Sequence, residues 1–342
     1  MRTSLLGVID ATTSYESLED LTQHRSLAAL PFAGRYRLID FILSNMVNSG
    51  IESVAIFPKF QYRSLMDHLG SGKNWDLNRK KDGLFFFPSP QLESKEEGVG
   101  SFCHFAGHMD YFYRSRQKYA LISNCYTVCN IDFEPVVKRF EEEGCDILEI
   151  SHQGRPLDMY IVSTSLLIEL IKNRKESGYT CMKDIVTDYR HNYHVCGYEF
   201  NGYCKQIKSI ADYYSTSMEL LKKEYWSQLF NEFQPIYTKV KDEPPTKYKP
   251  ESVVRNSIIA NGASIEGDVE NSIISRSVRI GEGTQVKNSI IMQKTQIGKN
   301  CRLEGVIIDK DVIIGDGITI TGSAEEPVVI RKGSIQGALM NS

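Results

Sequence analysis

The chain reads as two domains in series: a helix-covered, mostly parallel α/β sheet, then a parallel β-helix built from hexapeptide repeats. Two observations predict this. Residues 1–234 alternate strand-like and helical runs, the pattern of a sheet with crossover helices. From residue 253 onward an aliphatic side chain returns at six-residue intervals, the spacing of a triangular β-coil. The length agrees, since 342 residues are too many for one ordinary domain and suit two.

The sheet domain can be justified element by element. Leu5–Asp10 is an apolar run and reads as a first strand rather than a leader segment. Arg37–Asn48 carries apolar residues at 38, 39, 42, 43, 46 and 47, a helical stripe stopped by Gly50. Val54–Phe57 reads as a strand, Tyr62–Leu69 as a short helix ended by Gly70, and Tyr119–Ser123 as another strand. Asp132 reads as the cap of a helix that has Pro135 in its first turn and ends at Glu143 before Gly144. Asp146–Ile150 and Tyr160–Ser163 read as strands and Ser165–Asn173 as a helix, with a loop around Arg155. In such sheets ligands sit at the carboxyl ends of the strands.

Residues 235–252 read as a linker, with Pro235, Pro244, Pro245 and Pro250 among Lys, Asp and Glu. The coil domain then spans 253–342. Asn-Ser-Ile-Ile begins at 256, 271 and 288, and a degenerate copy, Gly305-Val306-Ile307-Ile308, follows. The inward-facing aliphatics are read as Val253, Ile259, Ile265, Ile274, Ile280, Val286, Ile291, Ile297, Leu303, Ile308, Ile314 and Ile320. Gly281, Gly298 and Gly315 mark one corner. A solenoid of this kind normally serves as a structural or assembly surface.

Composition narrows the function classes. A net charge of -3 argues against a dedicated nucleic-acid binder. No apolar stretch of spanning length occurs, so no membrane span is expected. The aromatic and basic run Tyr111–Arg116 reads as an interface or core helix. The eight cysteines form no CxxC pair, and the expectation is reduced, mostly buried thiols in a cytoplasmic protein, with no metal site. All seven histidines (24, 68, 104, 108, 152, 191 and 194) precede the repeat, which counts against a hexapeptide acyltransferase needing a histidine base on its coils.

One string is specific. Leu21-Thr22 and Arg25, followed by Pro31-Phe32-Ala33-Gly34-Arg35-Tyr36-Arg37-Leu38-Ile39-Asp40-Phe41 and on through Ser44-Asn45 to Asn48-Ser49-Gly50-Ile51, resembles the bacterial ADP-glucose pyrophosphorylases (glucose-1-phosphate adenylyltransferases). Further matches are Gly107, Asp110 and Tyr113, then Lys183-Asp184-Ile185-Val186, and the stretch from Gly202-Tyr203 to Tyr213-Tyr214. The resemblance covers essentially the whole chain. It implies a Rossmann-like (GT-A-like) nucleotidyltransferase domain followed by a left-handed β-helix. It also implies chemistry that joins ATP and glucose 1-phosphate to give ADP-glucose and pyrophosphate for glycogen synthesis.

The departures from that family are concentrated where its chemistry would be. The glycine-rich phosphate loop maps onto Thr12–Leu18, which has no glycine, and its arginine position is Ser17. Close approach of backbone N–H groups to a triphosphate depends on such glycines. The family's next phosphate-binding lysine position is Leu27. Two carboxylates would hold Mg2+; their positions read Tyr126 (Cys125 if the register slips by one) and Gln206. The sugar-phosphate motif Glu-Lys-Pro is absent from the short segment around Arg155.

Taken together, the resemblance implies a GlgD-type regulatory subunit with no catalytic residues and no bound cofactor of its own. Its expected partner is a GlgC-type catalytic subunit, which would hold Mg2+ within a hetero-oligomer, expected to be a tetramer. The alternatives are a weakly active adenylyltransferase with a rebuilt site, or a scaffold subunit with no ligand. His24, Arg25, Arg35 and Arg37, with Arg331 and Lys332 from the coil domain, are candidates for binding an anionic sugar-phosphate effector; a solvated basic face is the plainer reading.

Overall fold

The computed structural model describes residues 5–59, 61–88, 98–190 and 192–337. Met1–Ser4, His191 and the last five residues of the expected coil domain lie outside the described residues. The core of the first domain is a seven-stranded sheet. In spatial order its strands are Val195–Glu199, Ile147–His152, Arg155–Ser163, Tyr119–Asn124, Leu5–Ala11, Ser53–Pro58 and Gly83–Phe86. Only Arg155–Ser163 runs antiparallel to its neighbours. Leu5–Ala11, at the centre, is buried along its whole length, as expected of a strand covered on both faces.

Two local readings need correction. The segment around Arg155 is strand, not loop: Gln153 and Gly154 (φ 51° and 71°) turn Ile147–His152 directly into Arg155–Ser163. Two left-handed residues in succession make the tight hairpin turn that matches strand twist. The cap of the helix Glu134–Glu143 is Phe133 by position. Asp132 still does a cap's work from one residue upstream, its Oδ1 accepting from the Glu134 N–H at 2.9 Å and the Ser49 hydroxyl at 3.3 Å.

The second domain is three stacked parallel sheets, one per side of a triangular coil. Its inner columns are Ile265, Ile280, Ile297 and Ile314; Val254, Val269, Val286, Leu303 and Ile320; and Ile259, Ile274, Ile291, Ile308 and Ile330. Val254 therefore takes the inward place expected of Val253, which is 43% exposed. The cause is the spacing on this side of the coil: Val254, Val269, Val286 and Leu303 precede Ile259, Ile274, Ile291 and Ile308 by five residues rather than six.

The Asn-Ser-Ile-Ile repeat has a reason at each place. Asn256, Asn271 and Asn288 have φ of 42°, 48° and 47°, and Gly305 follows at 62°. This corner needs a left-handed residue, which asparagine and glycine tolerate best. Each serine hydroxyl accepts from the next coil's backbone: Ser257 from Ser272, Ser272 from Ser289, and Ser289 from Val306. Of the two isoleucines the second points into the coil. The first points out, and Ile290 and Ile307 join the apolar core of the sheet domain.

The two domains are therefore one packed body. The hairpin Pro31–Phe32/Tyr36–Arg37 presents Gly34 (φ 76°) to the coil, where an added Cβ would lie 3.6 Å from Ile258 and from the Ile274 carbonyl. Residues 235–252 run as a strap across this seam. The Tyr237 N–H donates to Ser44 and Asn48 donates to the Pro235 carbonyl, while Lys247–Tyr248 pairs with Ser264–Ile265 as the first rung of the coil.

Candidate functional site

The strand-end pocket is built from the Tyr119–Asn124 strand outward. Asn124 is fully buried, and its Oδ1 accepts from the N–H groups of Tyr126 and Thr127 and from the Thr127 hydroxyl, at 3.0, 3.0 and 2.9 Å. That closes a tight turn and drives Tyr126 inward. Its hydroxyl donates to Asp158 at 3.0 Å, its ring meets Tyr15 edge-on at 5.5 Å, and Lys208 Nζ lies 5.5 Å from the ring centre. Burial, reinforced by the Asp158 charge, pushes the Tyr126 phenol far above its ordinary range; burial raises Tyr15 to about 12. Both stay neutral.

Gln206 sits on the short antiparallel pair Thr127–Cys129/Cys204–Gln206, directly across from Thr127. Its amide donates to the Leu157 carbonyl at 3.0 Å. Ser17 is exposed and donates to the Lys208 carbonyl at 2.6 Å, which pins the loop that replaces a glycine-rich cradle. Leu27 is buried in the core. Asp10, at the end of the central strand, accepts from Thr12 on one oxygen and from the Gly100 and Ser101 N–H groups on the other.

Mg2+ demands several hard oxygen donors in near-octahedral array. The two positions offer instead a phenol engaged with Asp158 and a carboxamide engaged with Leu157. This donor set does not fit Mg2+.

Asp158 is the residue that sequence reasoning missed. No acid lies near 126 or 206 in sequence, yet the antiparallel strand brings Asp158 against Tyr126, with Lys208 Nζ at 3.6 Å. Its φ of 55° places it in the left-handed region, where a non-glycine residue is strained. Beyond this plug the pocket stays open as a cavity of about 860 Å³, lined among others by Arg155, Lys183, Lys205, Lys208 and Asp212.

The second charged site lies at the seam. Arg25 is buried, and its Nη2 donates to both carboxylate oxygens of Asp309 of the coil, each at 2.8 Å. Arg37 donates to the Ser64 carbonyl and hydroxyl; burial lowers it to about 10. Lys310, beside Asp309, is lowered to about 7 by burial and by Arg37 and Arg25, with Lys241 contributing. Arg276 is lowered by burial and by Arg35, and Lys241 by burial and by Arg276. Arg35 itself is exposed and lies over the Tyr36 ring at 5.0 Å. His24 and Lys332 are exposed, and Arg331 pairs with Asp20. The structure thus brings Arg25 and Arg37 together with three cations not foreseen, Lys241, Arg276 and Lys310, and ties Arg331 to a carboxylate of the sheet domain.

The thiol expectation needs one correction. Cys145 and Cys196 are joined as a disulfide across 51 residues of sequence, with His194 beside them as the one possible metal-ligand group among the described residues. The other six cysteines are free, and all but Cys103 are buried. The sheet explains the pairing: Val195–Glu199 lies alongside Ile147–His152, with Val195 opposite Ile147, and brings Cys196 within reach of Cys145, two residues before that strand.

Comparison with known proteins agrees with this architecture. Residues 14–156 match the nucleotidyl transferase family, and residues 244–328 match the GlmU-like C-terminal hexapeptide family, in keeping with a left-handed coil. The chain is 58% identical to the glycogen biosynthesis protein GlgD of Bacillus subtilis (strain 168) over 99% of this chain and 98% of that one. It is 61% identical to the protein of the same name from Geobacillus stearothermophilus over the full length of both. A glucose-1-phosphate adenylyltransferase of Thermosipho africanus (strain TCF52B) is 31% identical over 78% of this chain and 74% of that protein. No described helix is long and apolar enough to cross a membrane.

Proposed function

Because the chain belongs to the GlgD family of glycogen biosynthesis proteins, itself related to the glucose-1-phosphate adenylyltransferases, we propose that it is a non-catalytic regulatory subunit. It docks on a GlgC-type catalytic homologue and modulates that partner's synthesis of ADP-glucose, binding no metal itself. The observation that carries this reading is Tyr126. It is 2% exposed and hydrogen-bonded to Asp158 at a position where the chemistry calls for a metal-binding carboxylate. A subunit that makes no ADP-glucose can still act on a partner, provided its contacts differ between the partner's more and less active states.

An anionic sugar-phosphate effector belongs to the same proposal. Burial lowers the proton affinity of Arg37, Lys241, Arg276 and Lys310, and neighbouring cations add to it (Arg25 at Arg37, Arg276 and Arg37 at Lys241, Arg35 at Arg276, Arg37 and Arg25 at Lys310), so an anion among them relieves repulsion already present in the fold.

The experiment is ADP-glucose synthesis by this chain alone, by the catalytic homologue alone, and by the two co-expressed. Silence of this chain with a changed kcat or substrate affinity in the mixture is the expected result. Robust Mg2+-dependent synthesis by this chain alone overturns it in favour of a rebuilt site, for which Asp158 and Asp212 are the available acids.

A further inference from the structure

We propose that Cys145 and Cys196 are a reversible redox modification site whose reactant is a small-molecule disulfide, with His194 assisting the reactive thiol. Six of the eight cysteines are free, and Cys129 and Cys204, which face each other, are buried; Cys145 and Cys196 are joined at the rim of the sheet. Cys145 follows Gly144, the left-handed stop of the Glu134–Glu143 helix, and Cys196 lies on Val195–Glu199, the outermost strand.

The surroundings distinguish the two sulfurs. His194 Nε2 lies 3.8 Å from Cys196 Sγ, while its Nδ1 faces the Gly144 carbonyl at 3.4 Å. A proton on Nδ1 leaves Nε2 free to take the Cys196 proton, and the thiolate is the attacking species. The Glu143 carboxylate lies 3.9 Å from Cys145 Sγ and disfavours a second negative charge there. The backbone holds the site rigid, since His194 and Asp146 exchange hydrogen bonds through the Asp146 N–H and carboxylate. A surface cavity of about 390 Å³, lined in part by Cys145, Asp146 and Lys118, opens beside the pair.

The chemistry balances in two displacements. The Cys196 thiolate attacks one sulfur of the reagent disulfide, breaks its S–S bond and releases one thiolate. The Cys145 thiolate then attacks Cys196 Sγ, forms the internal bond and releases the second. Two protein thiols are oxidised and one reagent disulfide is reduced to two thiols. Closure ties the outermost strand to the end of the neighbouring helix. That strand runs on into Asn201–Gln206, which borders the 860 Å³ cavity.

The full chain, fully reduced, is equilibrated in glutathione buffers of graded potential, its free thiols are alkylated, and intact mass and peptide mapping follow. The expected product is a single reversible Cys145–Cys196 bond, forming roughly tenfold more slowly in His194→Ala. Cys145→Ser should instead trap glutathione on Cys196. If both thiols stay fully alkylated in the most oxidising buffer, or buried cysteines oxidise as fast, the proposal fails. Zinc that stays with the reduced wild-type chain through gel filtration, but is lost from His194→Ala, overturns it in favour of a metal centre.

Discussion

The strand-end pocket and the domain seam treat charge in opposite ways. In the pocket, the positions that the family resemblance aligns with nucleotide and metal contacts read Tyr126, Gln206, Ser17 and Leu27. The three polar ones are bonded to neighbouring protein groups and Leu27 is packed in the core. At the seam, cations are gathered around the buried Arg25–Asp309 ion pair. On the proposed reading, donors for catalysis are lost while the fold is kept, because the side chains at those positions find partners within the protein. The string from Pro31 to Ile51 survives for another reason: its hairpin and helix are where the coil and its strap dock.

The sharpest way to break this contrast is at Arg25. Its partner Asp309 is 2% exposed, so Arg25→Ala leaves a carboxylate buried without a counter-charge. We expect a loss of about 3–5 kcal/mol in urea unfolding. Arg25→Met with Asp309→Leu should recover most of it. Equal losses from the single and double variants would mean that the pair acts through packing rather than charge.

The pocket offers the complementary test. Tyr126→Asp with Gln206→Asp restores the two carboxylates, at a cost of about 2–4 kcal/mol for the lost buried ring. The expected gain is Mn2+ binding, read by paramagnetic relaxation, without ADP-glucose synthesis, because Ser17 and Leu27 still give the triphosphate no cradle. Turnover by the double variant alone would show that two residues account for the whole loss.

How much of this was legible in sequence differs between the same two regions. The coil was readable because stacking repeats the inward side chains from coil to coil; Val254 was hidden by the five-residue step to Ile259, and Val269 by a first coil of 15 residues rather than 17. The empty positions in the pocket were readable because a missing glycine or aspartate is visible in one dimension. What filled them was not. Asp158 reaches Tyr126 from an antiparallel strand 32 residues on, and Cys145 meets Cys196 across 51. The seam was half legible: Arg25 and Arg37 stood out, but Lys310 is basic by sequence and is lowered to about 7 because the fold buries it and sets it beside Arg37 and Arg25.

That crowding gives a pH test of intermediate size. A lysine held at about 7 in the folded chain binds fewer protons than the unfolded chain between there and its ordinary value near 10.4. The stability term of Lys310 is therefore unfavourable below pH 7 and is relieved as pH rises toward 10. Binding of an anion has the opposite slope, since it needs the charged amine. Affinity for a sugar bisphosphate should fall as pH rises through 7, and Lys310→Met should flatten that dependence. The groups facing Lys310 are Arg37, Arg25, Asp309 and Lys241. An unchanged pH profile in the variant would place the anion elsewhere.

The smallest effect is expected where the coil meets the sheet domain through its asparagine corner. Asn271 holds φ 48° and accepts from Asn256 at 2.8 Å, and the next corner residue, Asn288, accepts the Tyr214 hydroxyl through its carbonyl. Asn271→Ala keeps the left-handed backbone but loses the tolerance and the ladder bond, for about 1–2 kcal/mol. Asn271→Gly loses the bond alone and should cost less than alanine. The order alanine below glycine below asparagine, measured by thermal unfolding, separates backbone demand from side-chain bonding. If glycine proves worse than alanine, the ladder is secondary to chain entropy, and the repeat's asparagine owes its place to something other than the corner.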